Sequence, residues 1–199
     1  MADHLTAQID AAFDKSLKLL GAMSMDRDLH ALVTRVVALS VEALKRGNKL
    51  LFAGNGGSAA DAQHWAGELV SRFNFDRPGL AGIALTTDTS ILTAIGNDYG
   101  YDYVFARQIE ALGHKGDLLF AISTSGNSKN IVRAIHAARD AGIAVIGFTG
   151  QGGGAMAELC DICLRMPTQE TPKIQECHEV LGHLICGLIE SEMFGDARS

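Results

Sequence analysis

KLLFAGNGGS (residues 49–58) and DLLFAISTSGNS (residues 117–128) share one arrangement, in which an apolar segment runs directly into a loop of glycines and hydroxyl groups. A helix-like stretch follows each loop. Glycines let backbone N–H groups approach an oxyanion closely, hydroxyls add donors, and a following helix contributes free amides and the positive end of its dipole. The two loops therefore predict a phosphate site, with a small phosphorylated metabolite as its ligand.

The loop spacing separates this site from the common nucleotide-binding motifs. Residues 54–58 lack the G-x-G-x-x-G pattern, and no G-x-x-x-x-G-K-[ST] sequence occurs in the chain. Either loop alone is equally typical of an ordinary strand-to-helix turn. Two in one chain, one of them with four hydroxyl side chains, favour phosphate binding.

Short apolar runs separated by helical patterns predict the fold. Five such runs indicate an α/β domain with a five-stranded parallel sheet and helices on both faces, a flavodoxin-like αβα sandwich. The predicted strands are Lys49–Ala53, Ala81–Thr86, Asp117–Ser123, Ile143–Thr149 and Asp161–Met166. Ligands bind such sheets at the carboxyl ends of the strands, where both loops fall.

Helical periodicity marks both ends of the chain. Leu5–Leu20 and Asp28–Arg46 carry apolar residues at helical spacing, and Thr171–Phe194 has a wide apolar stripe. We expect residues 1–47 to form a helical pair used in an oligomeric bundle and residues 48–199 to form the α/β domain, together one compact unit. The alternative is that these helices only cover their own domain.

Composition narrows the function classes. The net charge is −6 over 199 residues and the basic residues are scattered, which disfavours a nucleic-acid or membrane-surface partner. The first residues carry neither a basic leader nor an apolar segment, so we expect a cytoplasmic protein. Cys160-x-x-Cys163 has no second pair to complete a zinc ribbon, and the four cysteines are expected to be buried, reduced and inert.

Several polar side chains have the spacing of a catalytic site. His64 and Glu68 share a helix face and could bind a metal, run acid–base chemistry or form a solvated pair. Gln175, Glu179 and His183 recur every four residues on the last helix, a pattern that is equally typical of a solvent-facing strip. Asn97 and Asp98 lie in a loop-like stretch, and Trp65 is expected in the core.

Together these motifs resemble the sugar isomerase (SIS) domain family, and among its members the isomerases of seven-carbon sugar phosphates. The resemblance spans nearly the whole chain. The residues that carry it are Gly54–Ser58, Asp61, His64, Glu68, Gly96–Asp98, Ser123–Ser128, Ile174–Glu176 and His183.

The resemblance implies an aldose–ketose isomerase that converts sedoheptulose 7-phosphate to D-glycero-D-manno-heptose 7-phosphate through an enediol, the first step toward ADP- or GDP-heptose for surface glycans such as lipopolysaccharide. It implies a homotetramer with active sites at subunit interfaces, and one zinc ion per subunit near His64, Glu68, Gln175 and His183. Glu68 and His183 would be catalytic. The implied substrate contacts are Asn55, Gly56, Gly57, Glu68, Asn97, Asp98, Ser123, Thr124, Ser125, Ser128 and Gln175.

Two features of the sequence bear on the residue roles that the resemblance implies. Gln175 and His183 are eight residues apart, about 12 Å along one unbroken helix, so both reach one metal only with stretched side chains, a distorted helix start or a neighbouring subunit. Pro172 stands where some relatives carry an aspartate. The alternatives within the family are a non-catalytic adaptor associated with a replication initiator, an isomerase of another phosphosugar, and a sugar-phosphate-sensing domain.

Overall fold

A computed structural model describes residues 2–195; residue 1 and residues 196–199, the outer ends of the two predicted segments, lie outside the described part. The helices are α1 Ala2–Met25, α2 Arg27–Lys45, α3 Gly57–Val70, α4 Thr89–Asp98, α5 Ala106–Leu112, α6 Lys129–Asp140, α7 Met156–Leu159 and α8 Thr171–Phe194. The strands are β1 Leu50–Gly54, β2 Gly82–Ala84, β3 Leu118–Ile122, β4 Ala144–Thr149 and β5 Ile162–Arg165. A short 3-10 turn covers Tyr101–Tyr103.

The five strands form one parallel sheet, as predicted, and their order in the sheet is β2-β1-β3-β4-β5. The central pair, β1 and β3, lie in register with Leu50 opposite Leu118. Both strands begin one residue later than predicted. Just before them, half-buried Lys49 and buried Asp117 form an ion pair, with Lys49 Nζ 2.6 Å from Asp117 Oδ2. The edge strand β2 is shorter than the predicted Ala81–Thr86.

Alternating strand residues pack into two separate hydrophobic cores, one on each face of the sheet. On one face, Phe52, Phe120 and Phe148 pack with residues of α2, α3 and α8. On the other face, Leu51, Leu119 and Val145 pack with residues of α5 and α6. Since successive side chains of a strand point to opposite faces, burial on both sides produces the continuous apolar runs seen in the sequence. The predicted αβα sandwich is confirmed.

The N-terminal helices differ in how much they bury. Helix α2 is capped by Asp26, whose Oδ1 accepts a hydrogen bond from Leu29 N, and its buried face contacts α8. Helix α1 contacts α8 through Ser16, which bonds to Glu176 and Lys173, and Lys15 forms an ion pair with Glu170, the residue that precedes α8. Four apolar residues along α1 stay 51–68% exposed: Leu5, Ile9, Phe13 and Leu17. The division into segments 1–47 and 48–199 stays a prediction.

The four cysteines are free thiols. Cys177 and Cys186 are buried, and Cys160 and Cys163 are half-buried. Burial raises the pKa of the Cys160 and Cys186 thiols to about 12, so both remain protonated and unreactive near neutral pH. Among the described helices, none combines the length and apolarity that crossing a membrane requires.

Candidate active site

The serine-rich loop joins β3 to α6. Ser128 occupies the N-cap of α6, and its Oγ lies 3.0 Å from Ser123 Oγ, which in turn lies 3.4 Å from Ser125 Oγ. Thr124 is half-buried between them. Clustered hydroxyls in front of the amino end of a twelve-residue helix suit an oxyanion, because they add donors to the helix's own free amides.

Gly126 shapes this loop. It adopts a left-handed φ of +65°, and a Cβ built there would lie 2.0 Å from Gly153 O. Asn127 secures the neighbouring turn by accepting a hydrogen bond from Ala155 N at 2.9 Å. The loop is therefore held against residues 153–155 by close backbone approach, which only glycine permits at position 126.

The glycine-rich loop joins β1 to α3 and lies beside the serine loop. The Asn55 and Asn130 amides exchange two hydrogen bonds, of 2.9 and 2.8 Å, and so tie this loop to the first turn of α6. Gly56, with φ of +57°, is the N-cap of α3. A Cβ at Gly57 would lie 2.5 Å from Gln175 Nε2, which places the Gln175 side chain against this loop.

Asn97 and Asp98 correct one expectation. The sequence predicted a loop from Ile95 to Gly100, but the structure places both residues in the last turn of α4. Both are exposed, and Asn97 Nδ2 donates a hydrogen bond to Asp98 Oδ1 at 2.8 Å. Asp88 caps the start of this helix by accepting a hydrogen bond from Ile91 N, and at its other end Tyr99 N–H donates to the Ile95 carbonyl.

His64, Glu68 and His183 come together where α3 packs against α8. His64 Nε2 lies 2.7 Å from His183 Nε2 and 3.4 Å from Glu68 Oε1. Glu179 joins them, with its Oε1 3.3 Å from the Nε2 atoms of both histidines. The ligand atoms of His64, Glu179 and His183 all lie within 4.8 Å of one another, so this group could hold a metal ion. Gln175 lies two helical turns before His183 on the continuous α8.

Glu179 is the residue that sequence reasoning missed. Its recurrence with Gln175 and His183 was visible, but a strip of polar residues does not show which members face another helix. The structure supplies the missing contact, because Trp65 Nε1 donates to Glu179 Oε2 at 2.9 Å. Trp65 itself is 1% exposed, which confirms the prediction that it belongs to the core.

Two further contacts frame the cluster. Phe73, in the segment after α3, lies against the His183 ring with centroids 5.5 Å apart. Its backbone N–H donates to buried Glu190 on α8, which also pairs with Arg77 Nε at 3.0 Å. Arg77 Nη2 then donates to the Glu68 carbonyl at 2.7 Å. A buried ion pair therefore fixes the end of α3 relative to α8.

A third carboxyl group borders the cluster. Burial, followed by the nearby charge of Glu179, raises the pKa of Asp61 to about 6, and His64 partly offsets that shift. Asp61 Oδ2 is buried and has no hydrogen-bond partner among the described residues. Asp61 thus adds negative potential beside His64 without a direct bond to it.

The parallel sheet with two glycine- and serine-rich loops at its carboxyl edge is the architecture of the SIS domain class. Residues 14–150 match the family model of the SIS domain. This agrees with the parallel sheet, whose carboxyl edge carries both loops.

Comparison with known proteins narrows the class. The chain is 58% identical over 195 residues to the phosphoheptose isomerase of Burkholderia pseudomallei strain 1710b, covering 98% of this chain and 99% of that one. It is 53% identical over 194 residues to the phosphoheptose isomerase of Aneurinibacillus thermoaerophilus, covering 98% and 96%. A solved phosphoheptose isomerase structure from Neisseria gonorrhoeae superimposes with a TM-score of 0.88 at 43% identity, covering 94% of this chain and 99% of that one. The chain therefore belongs to the phosphoheptose isomerase family.

Proposed function

We propose that this chain converts sedoheptulose 7-phosphate to D-glycero-D-manno-heptose 7-phosphate with the help of a bound zinc ion, as the first step toward an activated heptose for surface glycans. The observation that carries the proposal is the cluster of His64, Glu68, Glu179 and His183 on α3 and α8, in a member of the phosphoheptose isomerase family. Imidazole and carboxylate donors are those that zinc prefers.

The two loops would hold the substrate by its phosphate end. Hydroxyls and free helix amides give the phosphate its donors without a basic side chain. In this proposal Ser123, Thr124, Ser125 and Ser128 bind the phosphate, whereas Asn55, Gly56, Gly57, Gln175, Asn97 and Asp98 contact the sugar. His64 lies seven residues after Gly57 on α3, about 10 Å along the helix axis, so an extended sugar phosphate would run from the loops toward the cluster.

Isomerisation moves one carbon-bound proton and one hydroxyl proton. A base removes a proton from C1 of the ketose, an enediol forms, and an acid returns a proton to C2 while the C1 hydroxyl becomes the aldehyde. We assign Glu68 as the base and His183 as the group that exchanges a proton on the opposite side of the substrate. A bound divalent metal would polarise the C2 carbonyl and stabilise negative charge on the enediolate oxygens. His64, Glu68, Gln175 and His183 are the proposed metal contacts.

Assembly would complete the site. Exposed Val180, Leu184 and Leu188 of α8 line a largely apolar cavity of about 500 Å³ together with the end of α1 and the start of α2. Further apolar residues are exposed along the rest of α1. Exposed apolar surface of this extent is typical of an interface between subunits. We propose a homotetramer built on these helices, acting in the cytoplasm, where free thiols persist.

The proposal is tested by incubating purified protein with sedoheptulose 7-phosphate, with and without a chelator, and following aldoheptose 7-phosphate by NMR. We expect chelator-sensitive aldose formation. Glu68→Gln should abolish turnover while leaving the fold intact, whereas Glu192→Gln, a matched change at an exposed carboxylate on α8, should retain it. No conversion by the wild-type protein with added zinc would contradict the proposal and favour a binding protein without catalysis.

A further inference from the structure

A glycine segment, residues 150–154 with the sequence Gly-Gln-Gly-Gly-Gly, follows β4 at the same edge of the sheet as the serine loop. The two segments are in close contact. Gly150 N–H donates to the Thr124 carbonyl at 3.0 Å, and a Cβ built at Gly154 would lie 2.5 Å from Ser125 O. The glycine segment therefore packs against the backbone of the serine loop at a separation that side chains would not allow.

His178 ties the start of the glycine segment to α8. Its side chain is completely buried, with its ring centroid 5.7 Å from that of Phe148, and its Nε2 lies 3.2 Å from the carbonyl oxygen of Thr149, the last residue of β4. A carbonyl oxygen only accepts, so Nε2 carries the proton and donates. The same oxygen also accepts the Met166 N–H at 2.9 Å, so the bond from His178 is additional to the pairing beside β5.

The other ring nitrogen of His178 indicates which property of the side chain matters here. Nδ1 is buried and has no hydrogen-bond partner among the described residues. Burial lowers the pKa of His178 to about 4, and the hydrogen bond to Thr149 offsets this only in part, so the ring is neutral near neutral pH. A buried polar atom without a partner costs free energy that an apolar side chain of similar size would avoid. The Nε2–H donor is what such an apolar side chain would lack.

We propose that the glycine segment supports the phosphate site and that His178 positions this segment by way of the Thr149 carbonyl. The inference rests on the proposed function, in which the serine loop binds the phosphate. The connection is short, because the Thr149 carbonyl and the Gly150 N–H belong to one peptide group. A peptide group is planar, so a donor that fixes its carbonyl also fixes the direction of its N–H, which here holds the Thr124 carbonyl of the serine loop.

The first test compares two replacements of His178 in the full chain. Leucine and glutamine are both close to histidine in size, but only glutamine can donate a hydrogen bond from its side chain. Isothermal titration calorimetry with inorganic phosphate measures affinity without turnover. We expect His178→Leu to weaken phosphate binding about fivefold and His178→Gln to stay within about twofold of wild type. In turnover of sedoheptulose 7-phosphate, His178→Leu should raise KM by about the same factor and leave kcat within about twofold.

The control for the loss of a buried hydrogen bond is Ser40→Ala. Ser40 Oγ is buried and donates to the Val36 carbonyl within α2 at 2.8 Å, so this variant removes such a bond without touching the glycine segment. It should bind phosphate as wild type does. Circular dichroism checks that each variant is folded.

A second test acts on the glycine segment itself. Gly154 has a left-handed φ of +56° and its added Cβ would meet Ser125 O, whereas nothing stands within 4 Å of a Cβ at Gly152. We expect Gly154→Ala to weaken phosphate binding about tenfold, because the serine loop must shift, and Gly152→Ala to bind within about twofold of wild type. The two variants make the same chemical change two residues apart.

The inference is overturned if folded His178→Leu binds phosphate within about twofold of wild type, if His178→Gln binds as weakly as His178→Leu, or if Gly154→Ala binds as tightly as Gly152→Ala. A His178→Leu protein that does not fold would make His178 a residue of stability and would equally overturn its positioning role. A wild-type protein that binds no phosphate overturns the inference as well. Wild type that binds phosphate but does not convert sedoheptulose 7-phosphate contradicts the proposed function alone.

Discussion

Replacing Gly182 with alanine should force α8 away from α3 and disturb the cluster between them. The added Cβ would lie 2.0 Å from Trp65 Cε2 and 2.1 Å from Trp65 Nε1. Carbon atoms pack at about 3.5–4.0 Å, so the indole must move by about 1.5 Å. That movement strains a filled core and breaks the 2.9 Å bond from Trp65 to Glu179. Overpacking and the lost bond outweigh alanine's better helix propensity, and we expect a net loss of about 3 kcal/mol in the free energy of unfolding.

Urea unfolding followed by Trp65 fluorescence measures this loss directly. Gly67→Ala is the control, because Gly67 lies on α3 in the same helix pair and nothing stands within 4 Å of its added Cβ. That variant should be as stable as wild type or about 1 kcal/mol more stable. The reasoning is refuted if Gly182→Ala loses less than about 1 kcal/mol and keeps the wild-type emission maximum, since the indole would then have stayed in place.

Two further substitutions probe the phosphate loop and the start of the sheet. Ser125→Ala should raise KM more than it lowers kcat in steady-state assays, because phosphate contacts are largely shared by the ground and transition states; an unchanged KM would remove Ser125 from the phosphate site. Asp117→Asn should lower the free energy of unfolding by about 3 kcal/mol at neutral pH, because it removes the charge of a buried carboxylate that pairs with half-buried Lys49 and accepts two backbone N–H groups. Burial raises the pKa of Asp117, but hydrogen bonds from Lys49, His114 and Asn48 outweigh it and lower the pKa overall. The stabilisation is therefore present above the ordinary value of 3.8 and lost as pH falls through the lowered pKa, so urea unfolding should show the difference between wild type and variant shrinking as the pH is taken below 3.8.

Local chemistry was enough to predict the sheet and its loops. Strands buried on both faces read as continuous apolar runs, and the glycine and serine residues that follow β1 and β3 mark the turns into helices. The errors are at boundaries. Asn97 and Asp98 were expected in a loop because Gly96 and Gly100 flank them, yet the helix that Asp88 caps continues through both residues.

The cluster itself could be predicted only in part. His64 and Glu68 share one helix, so their proximity follows from a spacing of four. Their meeting with His183 and Glu179 depends on how closely α3 approaches α8, which Gly182 and Trp65 determine. This close approach is a feature of tertiary packing between two residues whose types do not suggest a functional role. The polar pattern of α8 alone therefore could not predict it.

The polar residues Gln175, Glu179 and His183 of α8 make two different sets of contacts, which their regular four-residue spacing does not reveal. Helices α3 and α8 run side by side in the same direction, since Gln175 lies against Gly57 and His183 against His64. A polar line two turns long therefore has two sets of contacts: its first member lies against the glycine-rich loop, and its last two lie against His64. The distance between those contacts is fixed by the rise of one rigid helix, about 12 Å from Gln175 to His183. Such a spacing suits an elongated phosphorylated substrate whose reacting carbons lie far from its phosphate, and a shorter sugar phosphate anchored in the serine loop would place its carbonyl further from Glu68 and His183.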